Sequence, residues 1–332
     1  MICGVDDAAV ARFRRDCLAI VESGFTPAMP IGVAVSGGPD SLALLLLAAA
    51  AWPGAVRAAT VDHRLRAEAA AEAAMVAETC RELGVPHATL IPEVPIAGRG
   101  NVPDRARQAR YALLGEWAGP AGWIATAHQC DDVAETFLMR ARRGAGLGGL
   151  AAMRAERPLV AGSAGPRLIR PLLGWRRAEL AAIVVQAGRV AADDPSNRDP
   201  HYDRARIRAL LAEADDLPVP RLAMAANNLR EAEVAIAWAA AREWTARAAV
   251  RDGRVRLEAA DDLPRELVRR LTVRAVDTVR QAAGLHAAWR QTGIDRLIAT
   301  LRAGGIGTIA GVIARSRDGS WWFDEAPARR SH

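Results

Sequence analysis

Ile31 to Ser41 reads IGVAVSGGPDS, and the ten residues that follow, Leu42 to Ala51, read LALLLLAAAA. A short β-branched run, a turn of Gly, Ser, Pro and Asp, and an unbroken apolar segment predict strand, glycine loop and helix in that order. Gly37 and Gly38 free the backbone for positive φ and for close approach of a ligand. Successive N–H groups at the mouth of the helix, with the positive end of its dipole behind them, make a nest suited to a diphosphate. Ser36 and Ser41 add hydroxyl donors, and Pro39 completes the loop. Asp40 is repelled by phosphate unless a cation stands between them, so it is assigned as a Mg²⁺ partner.

Outward from this loop the pattern repeats. Val56–Val61 (VRAATV) predicts a second buried strand ending at Asp62 and His63, and Ala67–Leu83 a helix closed by Gly84. His87–Ile91 and Trp123–Ala127 predict further strands. Between them a Pro- and Gly-rich loop leads through Asn101 into a helix over Pro103–Ala118. Asp131 opens the next helix. This alternation predicts an α/β fold, an open doubly wound and mainly parallel sheet. Ligands of such sheets sit at the carboxyl ends of strands, where Ser36, Asp62 and His128 all fall. The predicted domains are a catalytic domain over 1–216 and a mostly helical one over 217–332, the latter ending in a β-hairpin around Asp318-Gly319.

Composition excludes several classes. All 44 basic residues are arginine, so neither a Walker-type phosphate loop nor Schiff-base chemistry has its lysine. Cys3, Cys17, Cys80 and Cys130 form no C-x-x-C pair, which argues against a zinc ribbon or an iron–sulfur site. Leu42–Ala51 is too short to span a bilayer, and Met1–Ser23 lacks the apolar run of a secretory peptide, so a cytoplasmic protein with no membrane partner is expected. Net charge of +6 permits a polyanionic partner without requiring one. Gly144, Gly146 and Gly149 spell G-x-G-x-x-G, but they follow a helix and fail the strand–turn–helix test for a dinucleotide fingerprint.

SGGPDS resembles the S-G-G-x-D-S signature of the PP-loop ATP pyrophosphatases. Within them, VDHRLR (Val61–Arg66), RARQARYALL (Arg105–Leu114), ATAHQCDDVAET (Ala125–Thr136), RRGAGLGGLAAM (Arg142–Met153), RPLL (Arg170–Leu173) and DDPSNRDPHYDRARIR (Asp193–Arg208) resemble, in order, the blocks of the tRNA(Ile)-lysidine synthase family. Arg64 stands where that family has glycine, Pro103 where it has an acidic residue, and Ala205 where it has asparagine. The resemblance implies ATP and Mg²⁺ as cofactors. It implies free L-lysine and a tRNA(Ile) with a CAU anticodon as substrates, joined at C2 of the wobble cytidine to give lysidine, AMP and diphosphate. A homodimer is admitted but not decided.

On that reading Ser36, Gly37, Gly38, Pro39, Asp40, Ser41, Asp62, His63 and His128 face the nucleotide, and Asp40, Asp131, Asp132 and Arg110 carry the chemistry. Asp131 and Glu135 are four residues apart on one helical face, placed for the amine, the metal or both. Capping of the helix start is the other account of these acids. Arg107, Tyr111, Glu135, Arg143, Arg204 and Arg208 are assigned to substrate, with a solvated face as the alternative for the arginines of 204–208. The rival functions are another PP-loop tRNA-modifying enzyme, a thiolase or amidotransferase, or a tRNA-binding module without catalysis.

Overall fold

The computed structural model describes residues 4–64, 68–93, 102–119, 122–151, 153–159, 165–192, 203–258 and 262–327. Of the residues quoted above, Cys3, Leu65–Ala67, Asn101, Ala152 and Asp193–Tyr202 lie outside them. Two compact units emerge, Met1–Arg230 and Glu231–His332.

The larger unit begins with α1 (Asp7–Leu18), β1 (Ile31–Ala34), α2 (Pro39–Ala51), β2 (Val56–Val61), α3 (Ala69–Glu82) and β3 (His87–Leu90). It continues with α4 (Val102–Ala118), β4 (Trp123–Ala125), α5 (Cys130–Ala141), α6 (Leu147–Leu150), β5 (Glu156–Pro158), β6 (Arg167–Ile169), α7 (Arg177–Gln186) and α8 (Asp203–Glu213). Its six strands lie in the order β3-β2-β1-β4-β6-β5. All neighbours are parallel except the edge pair β5 and β6. The chain runs outward from β1 through β2 to β3 and then crosses back to β4, so the topological switch falls between β1 and β4. There the loops diverge and leave a crevice at the strand ends.

The uniform apolarity of Leu42–Ala51 has a direct structural cause: every residue of α2 from Ser41 to Ala51 is buried, enclosed by the sheet, α1 and α7. A helix buried on all sides shows no amphipathic stripe. Its N-terminus is thereby fixed at the end of β1.

The division between units falls within α9 (Val219–Arg247). The smaller unit adds β7 (Ala248–Arg251), β8 (Arg254–Glu258), α10 (Arg265–Ala282), α11 (Ile294–Arg302), β9 (Ile306–Ile309), β10 (Val312–Arg317) and β11 (Ser320–Glu325). The expected hairpin is present as β10 and β11, joined by Asp318 at φ 49° and Gly319 at φ 68°. It belongs to a five-stranded antiparallel sheet, β7-β8-β11-β10-β9, covered by α10 and α11. This part is therefore helical with a small antiparallel sheet, as expected, and the strands β7, β8 and β9 are what the expectation of a terminal hairpin leaves out. No described helix is long and apolar enough to cross a membrane.

Candidate active site

The glycine loop is held by its own side chains. Gly37 has φ +89°, a region that L side chains rarely adopt, and a Cβ there would also press on Met75 at 3.3 Å. Gly38 caps α2 with no side chain, and Pro39 takes the first helical position. Ser41 Oγ donates to Gly38 O (2.9 Å) and accepts from Ser36 N (3.2 Å), so this hydroxyl shapes the loop. Above it opens a cavity of about 480 Å³, lined among others by Ser36, Gly38, Pro39, Asp40, Ser41, Arg110, His128, Asp132, Arg204 and Arg208.

Three carboxylates gather on one side. Asp40 Oδ1 is buried without a hydrogen-bond partner, and its other oxygen accepts from Gln129 Nε2 at 3.5 Å. Burial, reinforced by Asp132, pushes Asp40 up to about 6 against the pull of Arg177. Asp132 is likewise raised, chiefly by burial and by Glu135, with Arg204 and Arg177 opposing. Glu135 is only 1% exposed. Its Oε1 accepts from Arg177 (2.8 Å) and Arg208 (3.0 Å). Arg204 Nε approaches Oε2 at 3.4 Å, outside hydrogen-bonding geometry, so Oε2 has no hydrogen bond.

Arg177 binds this group together, reaching Glu135, Asp132 (3.6 Å) and Asp40 (3.9 Å). Sequence reasoning passes over it, because one arginine in RRAEL (Arg176–Leu180) carries no local signature. Its position follows from Asp131, whose carboxylate accepts from the Arg177 backbone N–H (2.9 Å) and from the Arg176 guanidinium (3.1 and 3.2 Å). Burial raises Asp131, but these donors outweigh it and hold the carboxyl below its usual range. Asp131 thus faces α7, while Asp132, one residue on, faces the cavity. Gln129, fully buried, caps α5 through the backbone N–H groups of Asp131 and Asp132. Its signal is a capping-box spacing, Gln129 to Asp132.

The far wall is cationic. Arg110 lines the cavity, and burial lowers its guanidinium, with Arg107 adding repulsion. His128 accepts or donates at Thr126 Oγ1 (2.9 Å). Burial and then Arg170, Arg107, Arg110 and Arg204 push it down to about 3, so its imidazole is neutral. Gly37, Asp62, His63, Arg107, Tyr111, Asp131, Glu135 and Arg143 are not among the lining residues. Asp62 Oδ1 accepts from Arg64 N (2.8 Å) and closes the turn after β2. His63 Nδ1 is buried without a partner, and burial followed by Arg110 lowers its pKa. Tyr111 lies between Arg107 (5.1 Å) and Arg157 (4.8 Å), and Arg143 pairs with Asp203 at 2.6 Å.

A family model described as the PP-loop domain matches residues 10–214. The tRNA(Ile)-lysidine synthase of Novosphingobium aromaticivorans is 46% identical over 328 residues, covering 97% of this chain and 95% of its own. That of Zymomonas mobilis is 44% identical, covering 90% and 89%. The chain belongs to the tRNA(Ile)-lysidine synthase family. Among solved structures, the U34-tRNA thiolase NcsA from Methanococcus maripaludis is similar with a TM-score of 0.53 at 14% identity, over 68% of this chain and 78% of that one. At that identity the likeness is one of fold alone. Within the lysidine synthase pattern, the departure at Arg64 gains a physical description. Its φ of 54° is a left-handed conformation that glycine adopts without strain and arginine does not.

Proposed function

We propose that this chain is a carbon–nitrogen ligase that joins free L-lysine to C2 of the wobble cytidine in a CAU-bearing tRNA(Ile), consuming ATP and releasing AMP and diphosphate. One observation carries the reading: a phosphate nest and two carboxylates, Asp40 and Asp132, open into the same cavity, which Arg110, Arg177, Arg204 and Arg208 also line. A nest alone binds nucleotide, and carboxylates alone bind an amine. Their juxtaposition suits an enzyme that activates with one and ligates with the other.

In the first step cytosine O2 attacks the α-phosphorus of ATP and diphosphate leaves. The N–H groups after Gly37 hold the leaving diphosphate, and Arg110 neutralises charge that grows on phosphorus. Mg²⁺ fits beside Asp40, whose buried Oδ1 lacks a partner, with Asp132 near it. Among the described residues no group of three or more His, Cys, Asp or Glu forms a cage, as suits an ion held largely by phosphate oxygens. Bound there, it would supply positive charge to the phosphates. In the second step the lysine amine attacks C2, the C2–O bond breaks and AMP departs. Asp132, which lines the cavity, orients the ammonium and, raised by burial, accepts the proton that makes the amine nucleophilic, while buried Glu135 holds Arg177 and Arg208 in place behind it. Neutral His128 hydrogen-bonds the nucleotide without adding charge. Asp131 acts at one remove, by setting α7 so that Arg177 reaches the carboxylates.

On this reading residues 1–216 form the catalytic part and residues 217–332 the tRNA-binding part. Among the described residues thiol chemistry is disfavoured: Cys17, Cys80 and Cys130 are all buried, and burial raises each thiol above its ordinary pKa. Diphosphate release tests the reading. Release that requires both lysine and the tRNA supports it; release driven equally by ammonia or sulfide overturns it.

A further inference from the structure

The sheet of the smaller unit has two unlike faces. Val255, Leu257, Val312, Ala314, Trp321 and Phe323 point inward and are buried against α10 and α11. The opposite face is built from the alternate residues, and its register can be read across all five strands. Arg256 on β8 pairs with Trp322 on β11, which pairs with Arg315 on β10. Ala249 and Ile306 end the row on β7 and β9. Trp322 is 37% exposed on an outward position, where strand alternation normally places a polar residue. The Arg256 guanidinium lies 5.8 Å from its ring centroid. In the adjoining positions Arg251 faces Arg254, and Arg317 faces Ser320. Against these five arginines the same face offers two carboxylates, Glu258 and Asp324, and Asp324 pairs with both Arg254 (2.9 Å) and Arg315 (3.6 Å). The surplus is local and positive: from Glu231 onward the chain has 17 arginines and 13 carboxylates.

We propose that this face is an RNA-binding surface, on which Trp322 stacks an unpaired base and Arg256 and Arg315 hold the phosphates that flank it. An exposed indole between two guanidiniums matches the alternation of flat base and anionic backbone in looped RNA. A protein partner would be served by a broader apolar patch, and here the apolar residues are Trp322 and Ile306, with only the small Ala249 and a half-buried Ile313 beside them. The guanidinium near the ring also extends the flat surface, since arginine stacks as well as pairs. Because the RNA concerned is the substrate tRNA, the inference rests on the function proposed above.

The test uses the full chain and a tRNA(Ile) transcript with a CAU anticodon, with binding measured over a salt series. Trp322→Ala is expected to raise Kd about tenfold or more, while Trp322→Phe, which keeps a stacking ring, stays near wild type. Arg256→Gln combined with Arg315→Gln is expected to weaken binding similarly and to reduce the slope of log Kd against log salt by about 1 to 2. ATP affinity, read on the same preparations, reports that the larger unit is intact. Wild-type binding that persists unchanged in both variants overturns the inference and leaves the proposed function standing. A wild-type chain that binds no tRNA overturns the function on which it rests.

Discussion

At the scale of single residues, Asp40 is a carboxyl at the glycine loop whose buried Oδ1 has no hydrogen-bond partner. Its carboxyl is raised to about 6 by burial and Asp132, so between about pH 4 and 6 the folded chain holds a proton that the unfolded chain has lost. Stability therefore falls as pH rises through that window, and the ionised group above it is a standing cost. Asp40→Asn is expected to stabilise the ligand-free protein by on the order of 1–3 kcal/mol at pH 7.5, read by thermal unfolding, and to abolish AMP formation. Activity should rise with pH through about 6 as Asp40 ionises and accepts a cation. Removing the nearest positive charge, as in Arg177→Met, raises the carboxyl further, so that acid limb should move to higher pH. An unchanged limb in the variant removes Arg177 from the account. His128 contributes no such limb, being neutral down to about pH 3. Arg64, in its left-handed conformation, predicts a gain: Arg64→Gly is expected to raise stability by about 0.5–1 kcal/mol in denaturant unfolding. The glycine loop was legible because its residue types leave few other conformations open. Arg177 was not, since its partners Asp40, Asp132 and Glu135 come from two other helices.

Among elements, the start of α5 separates two neighbouring acids. Asp131 turns to the N-terminus of α7 and Asp132 to the cavity, although both sit in one first turn. Helical spacing alone places Asp131 with Glu135, and it is the backbone N–H of Arg177 that draws Asp131 away. Asp131→Ala is expected to lower stability by about 1–2 kcal/mol, with Arg176 half exposed and worth little of it. Asp132→Asn should instead leave unfolding nearly unchanged and remove lysine transfer. Equal catalytic loss with no destabilisation in Asp131→Ala contradicts the division. Strands were read where β-branched runs reach four to six residues, as in β1, β2 and β3. The three-residue β5 and β6 are too short to show a period. In β8, RVRLE does alternate, but its outward residues are long arginines, and the apolar pair Val255 and Leu257 is too sparse to stand out. Asp252-Gly253, with φ of 49° and 73°, carries the same turn signature as Asp318-Gly319, so that hairpin was within reach of the sequence.

For the whole molecule, the chemistry and the fold are concentrated in the larger unit, where the PP-loop family match ends at residue 214. The buried α2 positions the loop at the switch between β1 and β4, and the carboxylates of α5 meet the arginines of α7 and α8 beside it, with Arg110 of α4 lining the same cavity. Net charge says little about this arrangement, because both signs meet inside one cavity. The central claim is that nest and carboxylates serve one reaction on one RNA base. It is tested most directly by incubating the chain with ATP, Mg²⁺, labelled lysine and a tRNA(Ile) transcript bearing CAU. The account predicts stoichiometric label on the wobble cytidine, lost when ATP is omitted or Asp40 is changed to Asn. Label absent from the wobble base, with ATP still converted to AMP in the presence of the tRNA, would contradict it.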